Sequence, residues 1–224
     1  LAGLVFCLSL NIGYHHDMLD ALAGQTNQTL LDLNKRGLEF LGSGNYNESL
    51  GYFDGALAIS PDNAQVLDNK GFALYSLGNF SWALYYYDKG LAIEPNFTAA
   101  SNDKVAALLR IGNQLLNPGN YSDAIGYYDR VLAINSSNSD ALNNKGFSLY
   151  SLGNYTGALP YYDKVLALDP NDHVTLNNKG LALYYLGNYS GALPYYERAL
   201  AVAPNYTNAL TDNCLLYTSD AADD

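Results

Sequence analysis

The stretch Leu142–Pro170, LNNKGFSLYSLGNYTGALPYYDKVLALDP, decides the fold. Leu142, Gly146, Leu149 and Leu152 fall at i, i+4, i+7 and i+10, which is one face of a helix. Gly153-Asn154 reads as a stop followed by a start: glycine takes the left-handed conformation that ends a helix, and the Asn154 side chain can accept from the free N–H groups of the next one. Tyr155, Ala158, Leu159, Tyr162, Val165 and Leu166 form the apolar stripe of a second helix. Asp169-Pro170 ends it, because a residue before proline avoids the helical region. One such hairpin cannot bury its own stripe, whereas stacked copies can.

Working outward, the unit recurs. Gly44 and Gly78, Gly119 and Gly153, and Gly153 and Gly187 are each 34 residues apart, as are Pro61 and Pro95, and Pro170 and Pro204. Small residues recur where helices must approach: Gly37, Gly71, Gly146 and Gly180 on first helices, and Ala83, Ala124, Ala158 and Ala192 on second ones. With these residues the chain resembles a tetratricopeptide repeat (TPR) protein, whose 34-residue unit pairs a small residue on the first helix with Ala, an aromatic and a closing Pro on the second. The resemblance covers roughly residues 30–213. Two departures are visible. Lys70, Lys104, Lys145 and Lys179 stand where the family often has an apolar residue, and Leu33, Leu67, Leu142 and Leu176 fill the slot of its first-helix Trp. The resemblance implies an all-α, right-handed α-solenoid of about five complete helix-turn-helix units and a partial sixth. The array is placed at 24–213, with closures near Pro61, Pro95, Ser136, Pro170 and Pro204. The third unit is irregular: Gly112-Asn113 sits where a turn is due, and Gln114–Asn120 then adds seven residues. Seven is close to two helical turns, so helix or loop can absorb it, either as a tolerated insertion or as a partner-specific protrusion. Pro160 and Pro194 fall inside second helices and are expected on the outer face.

Composition limits the function. Acidic residues outnumber basic ones 22 to 11, giving a net charge of -11, which disfavours nucleic acid and anionic membranes as partners. The four lysines of the first-helix slot, and Lys89, Arg130, Lys164 and Arg198 on second helices, are read as structural charges facing carboxylates. Cys7 and Cys214 make no disulfide framework, and His15-His16-Asp17 lacks a third spaced metal ligand. Three His residues and no nucleophile–base pair, phosphate loop or metal triad exclude an enzyme from the expectation, and no cofactor or metal is expected.

The ends read differently from the array. Leu1–Leu10, LAGLVFCLSL, is too short to span a bilayer and suits the core of an export signal, with Ala21-Leu22-Ala23 as a small-x-small cleavage pattern. A truncated membrane anchor and a buried helix remain alternatives for residues 1–23. Residues 214–224 carry neither small-residue slot nor turn and resemble a non-native read-through tail.

Asn-x-Ser/Thr occurs at Asn27, Asn47, Asn79, Asn96, Asn120, Asn135, Asn154, Asn188 and Asn205. The 25 Asn and 23 Ser or Thr residues would form about two to three such triplets by random placement. Asn is a good turn and cap residue, and duplication copies it. That does not explain Ser81, Ser122, Thr156 and Ser190 at the second position of a helix, where a carboxylate would suit the dipole better. N-glycosylation, and with it an extracellular or cell-surface location, is the expectation; a cytoplasmic adaptor is the alternative.

In the family that the chain resembles, first helices line a concave face that binds peptides. The positions of this sequence in those slots are Asp68, Phe72 and Tyr75; Asn102; Asn143, Phe147 and Tyr150; and Asn177, Leu181, Tyr184 and Tyr185. Rings beside Asn side chains could stack on and hydrogen-bond a peptide or a sugar. The basic clamp that chaperone-binding members use for a carboxylate is missing from these slots. The expected partner is a protein or peptide, with carbohydrate as an option. The first Tyr of the pairs Tyr127-Tyr128, Tyr161-Tyr162 and Tyr195-Tyr196 is expected near the surface, and end-to-end self-association is a further expectation.

Overall fold

The computed structural model describes residues 23–212. The apolar start, the His pair, both cysteines and the residues after 212 lie outside them. Among the described residues every regular element is a helix. α1 covers residues 23–42. It is followed by α2 (Tyr46–Ile59), α3 (Ala64–Ser76), α4 (Phe80–Ile93), α5 (Thr98–Leu116), α6 (Tyr121–Ile134), α7 (Ser139–Ser151), α8 (Tyr155–Leu168), α9 (His173–Tyr185) and α10 (Tyr189–Val202). A last segment, α11, covers 207–212. Odd helices are the first and even helices the second of each repeat. Two compact units are formed, one up to Ala107 and one from Leu108, so α5 contributes its first part to one and its second part to the other.

Each hairpin turn follows from two residues. Gly44, Gly78, Gly119, Gly153 and Gly187 have φ between 76° and 81°, a region that costs other residues a Cβ clash. The following Asn N–H then closes the helix: Asn79 donates to Leu74 O at 2.9 Å and Asn154 to Leu149 O at 2.9 Å. Asn154 and Asn188 also accept, through their side chains, from the N–H groups of Gly157 and Gly191. First helices start on Asn63, Asn138 and Asp172, each accepting from the third residue on. Pro160 and Pro194 sit at the sixth position of α8 and α10, and both are exposed.

Packing repeats with the sequence. In each repeat a second-helix ring lies against a first-helix glycine. A Cβ on Gly71, Gly146 or Gly180 would stand 2.6 Å from Cε1 of Tyr87, Tyr162 or Tyr196. These rings are fully buried, with Phe53 and Tyr128 in the equivalent places. The glycines exist for this approach: any side chain would expel the ring. Second helices pack on the first helix of their own repeat (α3 with α4, α7 with α8, α9 with α10) and on that of the next (α2 with α3, α6 with α7, α8 with α9). Ala158 and Tyr162 of α8 thus share a core cluster with Ala182 of α9. This is nearest-neighbour burial of the kind a repeat array needs.

The lysine slot ties repeats together. Lys70 bridges Asp54 of the preceding second helix and hydrogen-bonds the Tyr86 hydroxyl of its own at 2.7 Å. Lys145 pairs with Asp129 and lies over Tyr161, and Lys179 pairs with Asp163 and lies over Tyr195. Lys104 pairs with Asp88 at 2.6 Å. Burial pulls the Lys70 ammonium down, but Asp54 and Tyr86 outweigh it and hold it above its ordinary value. The first Tyr of the 161-162 and 195-196 pairs is therefore half-buried under a lysine rather than free at the surface.

The third repeat differs from the expectation. Gly112 does not turn the chain: it lies inside α5, where an added Cβ would meet Tyr128 Cε1 at 2.8 Å. The turn is at Gly119, with φ +81°. Elsewhere Lys and the packing glycine are adjacent, as in Lys70-Gly71 and Lys145-Gly146, whereas Lys104 and Gly112 are separated by Val105–Ile111. The seven extra residues are two additional turns within α5 upstream of Gly112, not Gln114–Asn120.

Candidate functional site on the first-helix face

The expected residues lie on first helices, and their exposure and contacts divide them into two layers. The outer layer is aromatic. In the first unit Phe72 stacks on Tyr75 with ring centroids 6.4 Å apart, and Tyr75 meets Phe80 at 5.2 Å. In the second, Phe147 stacks on Tyr150 at 6.4 Å, and Tyr150 contacts Tyr155 and Tyr185 at 5.4 and 5.7 Å. Tyr184 packs on Tyr185 and Tyr189 at 5.5 and 5.2 Å. The rings hold one another, yet Phe72 stays 40% and Tyr185 54% exposed. Leu181 is half-buried, and Asn102, on α5, is exposed.

The inner layer is polar and connects repeats. Asn69 donates to Asn34 at 2.9 Å, and Asn178 and Thr175 donate to Asn143 at 3.2 and 3.0 Å. Asn177 donates to Asp212 at 3.0 Å. Asn113 accepts from Asn144 at 2.9 Å and from the Tyr128 hydroxyl at 2.8 Å. Asn143 is thus occupied by its neighbours, and Asp68 and Asn177 are 5% and 1% exposed. The ladder partners Asn69, Asn144 and Asn178 escaped the sequence reading. Their signal was the recurring Asp-Asn or Asn-Asn doublet before each lysine at 68–70, 143–145 and 177–179.

Five buried side-chain atoms are left without partners among the described residues. In the first unit they are Asp68 Oδ1 and the Tyr87 hydroxyl; in the second, Asn177 Oδ1 and the Tyr196 hydroxyl, together with the Tyr162 hydroxyl. Burial, with the charge of Asp103 beside it, pushes the Asp68 carboxyl up to about 7. Burial also raises Asp103. The Tyr87 hydroxyl is pushed up by burial, then by Asp103 and Asp68. Asp212 is raised by burial and partly relieved by the hydrogen bond from Asn177.

On α4, Trp82 is 54% exposed and packs edge-on against Tyr85 at 5.5 Å, a surface ring pair that the sequence reading did not single out. Among the described residues no group of three or more His, Cys, Asp or Glu could hold a metal ion, and no helix is long and apolar enough to cross a membrane.

Residues 64–97 and 137–205 match family profiles of the tetratricopeptide repeat. Among solved structures the chain is similar to YrrB, described as a TPR protein with an unusual peptide-binding site: 19% identity, 80% of this chain and 89% of YrrB covered, TM-score 0.58. It is similar to the MamA protein at 19% identity, covering 81% and 95% of the two chains with a TM-score of 0.59. A tetratricopeptide repeat protein from Parabacteroides merdae aligns at 18% identity over 85% of this chain and 73% of that one, with a TM-score of 0.60. No curated protein sequence matches the chain. The glycine–tyrosine packing, the 34-residue helix pairs and these matches converge: residues 64–97 and 137–205 are tetratricopeptide repeats, and the chain has the stacked helix-pair fold of that family.

Proposed function

We propose that the chain is a non-catalytic protein-interaction scaffold, exported and N-glycosylated, whose first helices bind peptide on the aromatic layer within each unit. The observation that supports peptide binding is the surface left over after packing. Phe72 and Tyr185 keep large open faces although every second-helix ring of the core is buried. Such half-supported rings offer apolar area at low entropic cost to a partner. YrrB, similar in fold, is described as having a peptide-binding site.

Glycosylation is supported by the placement of the nine acceptor Asn residues, all of them exposed. At Asn154 and Asn188 the cap uses Oδ1, and a sugar would attach through Nδ2, so both roles are compatible. Ser49 is an exception in the series: it is fully buried in the small-residue slot of Ala83 and Ala124, and its hydroxyl donates to Tyr46 O at 2.7 Å. Packing therefore accounts for the Ser of the Asn47 triplet.

The test is mass spectrometry of the native protein together with peptide selection on the purified chain. Sugar on Asn154 and Asn188 is expected, as is loss of the selected peptides on Tyr150→Ala plus Tyr184→Ala. Unmodified Asn residues remove the glycosylation reading, and unchanged peptide capture removes the binding face.

A further inference from the structure

We propose that the first-helix face of the first unit holds a seat for a primary ammonium group, formed by Asp68, Asp103 and the Tyr87 hydroxyl, and that the group is the side chain of a lysine in the bound peptide. The inference rests on the peptide-binding reading and specifies what that face selects.

The seat is built from buried groups that lack a counterpart. Asp68 is 95% buried by its 5% exposure, and its Oδ1 has no partner among the described residues. The Tyr87 hydroxyl, fully buried, is also unpartnered, and Asp103 and Asp68 are the charges acting on it most strongly. Neither carboxylate is in an ion pair among the described residues, although Asp54 and Asp88 nearby in sequence each have a lysine. A buried carboxylate, a half-buried one and an unused buried hydroxyl favour a cation. The number of oxygens selects its chemistry. The two carboxylates and the hydroxyl are three groups with five oxygens in all, and an ammonium can direct one of its three N–H donors to each group. Calcium asks for six to eight oxygens, and a guanidinium brings five donors in a rigid fork. Phe72 and Tyr75 lie one and two turns along α3 from Asp68, with the Phe72 ring 40% exposed. A lysine stem of four methylenes can lie on these rings while its head reaches the half-buried Asp103. The seat has the opposite sign to the basic clamp that other members use for a carboxylate.

The molecule contains its own control. In the second unit the equivalent residues are Asn177, Asp212 and Tyr196, and there the amide of Asn177 already donates to Asp212. One carboxylate is thereby satisfied and the other replaced, so this copy has no call for a cation.

The experiment uses the full chain at pH 8 and blocked pentapeptides Ac-Ala-Ala-X-Ala-Ala-NH2, with X lysine, norleucine, Nε-acetyl-lysine or arginine, followed by the carboxyl carbon resonances of Asp68 and Asp103. The lysine peptide is expected to shift both resonances and to bind roughly tenfold more tightly than the norleucine peptide. Asp103→Asn, checked for an unchanged fold by circular dichroism, is expected to remove that preference. Asn177→Asp is expected to create a second lysine-dependent site read at Asp212. Equal binding of lysine and norleucine peptides overturns the seat while leaving the peptide-binding face standing. Equal binding of lysine and arginine, or displacement of the lysine peptide by millimolar calcium, overturns the ammonium assignment. No binding of any peptide overturns the face and the seat together.

Discussion

In the first unit the buried hydroxyl of Tyr87 feels the charges of two carboxylates, Asp103 and Asp68; in the second, the equivalent Tyr196 feels that of Asp212, which accepts from the Asn177 amide. The three pairs of equivalents are each 109 residues apart, so one change of residue type, Asp to Asn, separates two copies of the same geometry. The glycine beneath each tyrosine is identical in both, with the same 2.6 Å approach. Packing fixes the glycine and the ring. It leaves the polar slot beside them free to vary, and there the two units acquire different chemistry.

Replacing the shared glycine should affect both copies most. Gly71→Leu and Gly180→Leu are each expected to cost about 3 kcal/mol, because the ring cannot yield without leaving its core. Urea denaturation measures this, and a silent substitution in either unit would break the equivalence. The next largest effect separates the copies. The Asp68 carboxyl is raised from 3.8 to about 7 in the folded chain, so the folded state holds a proton that the unfolded state releases. Stability of the first unit is therefore full below about pH 4 with respect to this group and falls as pH rises toward 7. Asp68→Asn should flatten that fall and raise stability at pH 8 by on the order of 1–2 kcal/mol, measured by denaturation across pH. The same experiment on Asn177→Asp should introduce a fall of the same sign in the second unit.

Smaller effects sharpen the contrast. Tyr128→Phe removes a hydroxyl that donates to Asn113 and should cost about 1 kcal/mol, whereas Tyr87→Phe and Tyr196→Phe remove unpartnered hydroxyls and should cost less. Smallest are the lysine bridges. Their aspartates are about half exposed, so Lys70→Met and Lys179→Met should each change stability by no more than about 1 kcal/mol.

The repeat framework was legible because its determinants are local. A glycine with positive φ, a capping Asn and a small residue under a ring recur at 34-residue spacing whatever surrounds them. The third repeat misled for an equally local reason. Gly112-Asn113 imitates the Gly-Asn stop and start, and two extra helical turns return every side chain to nearly the same face, so periodicity cannot locate them. The broken Lys-Gly adjacency at Lys104 and Gly112 marks their place. Of the first-helix face, the aromatic residues were readable by slot. The difference between Asn143, consumed by Thr175 and Asn178, and Asp68, left unpartnered, depends on side chains about 34 residues away and had no signature within its own repeat.

The most direct test of the contrast between the two units is a carboxyl-carbon NMR titration of Asp68 in the intact chain. The midpoint is expected near pH 7 in the free protein and at lower pH once the lysine pentapeptide is bound. A midpoint near 4 that the peptide does not move would contradict it, because the first unit would then hold an ordinary solvated carboxylate.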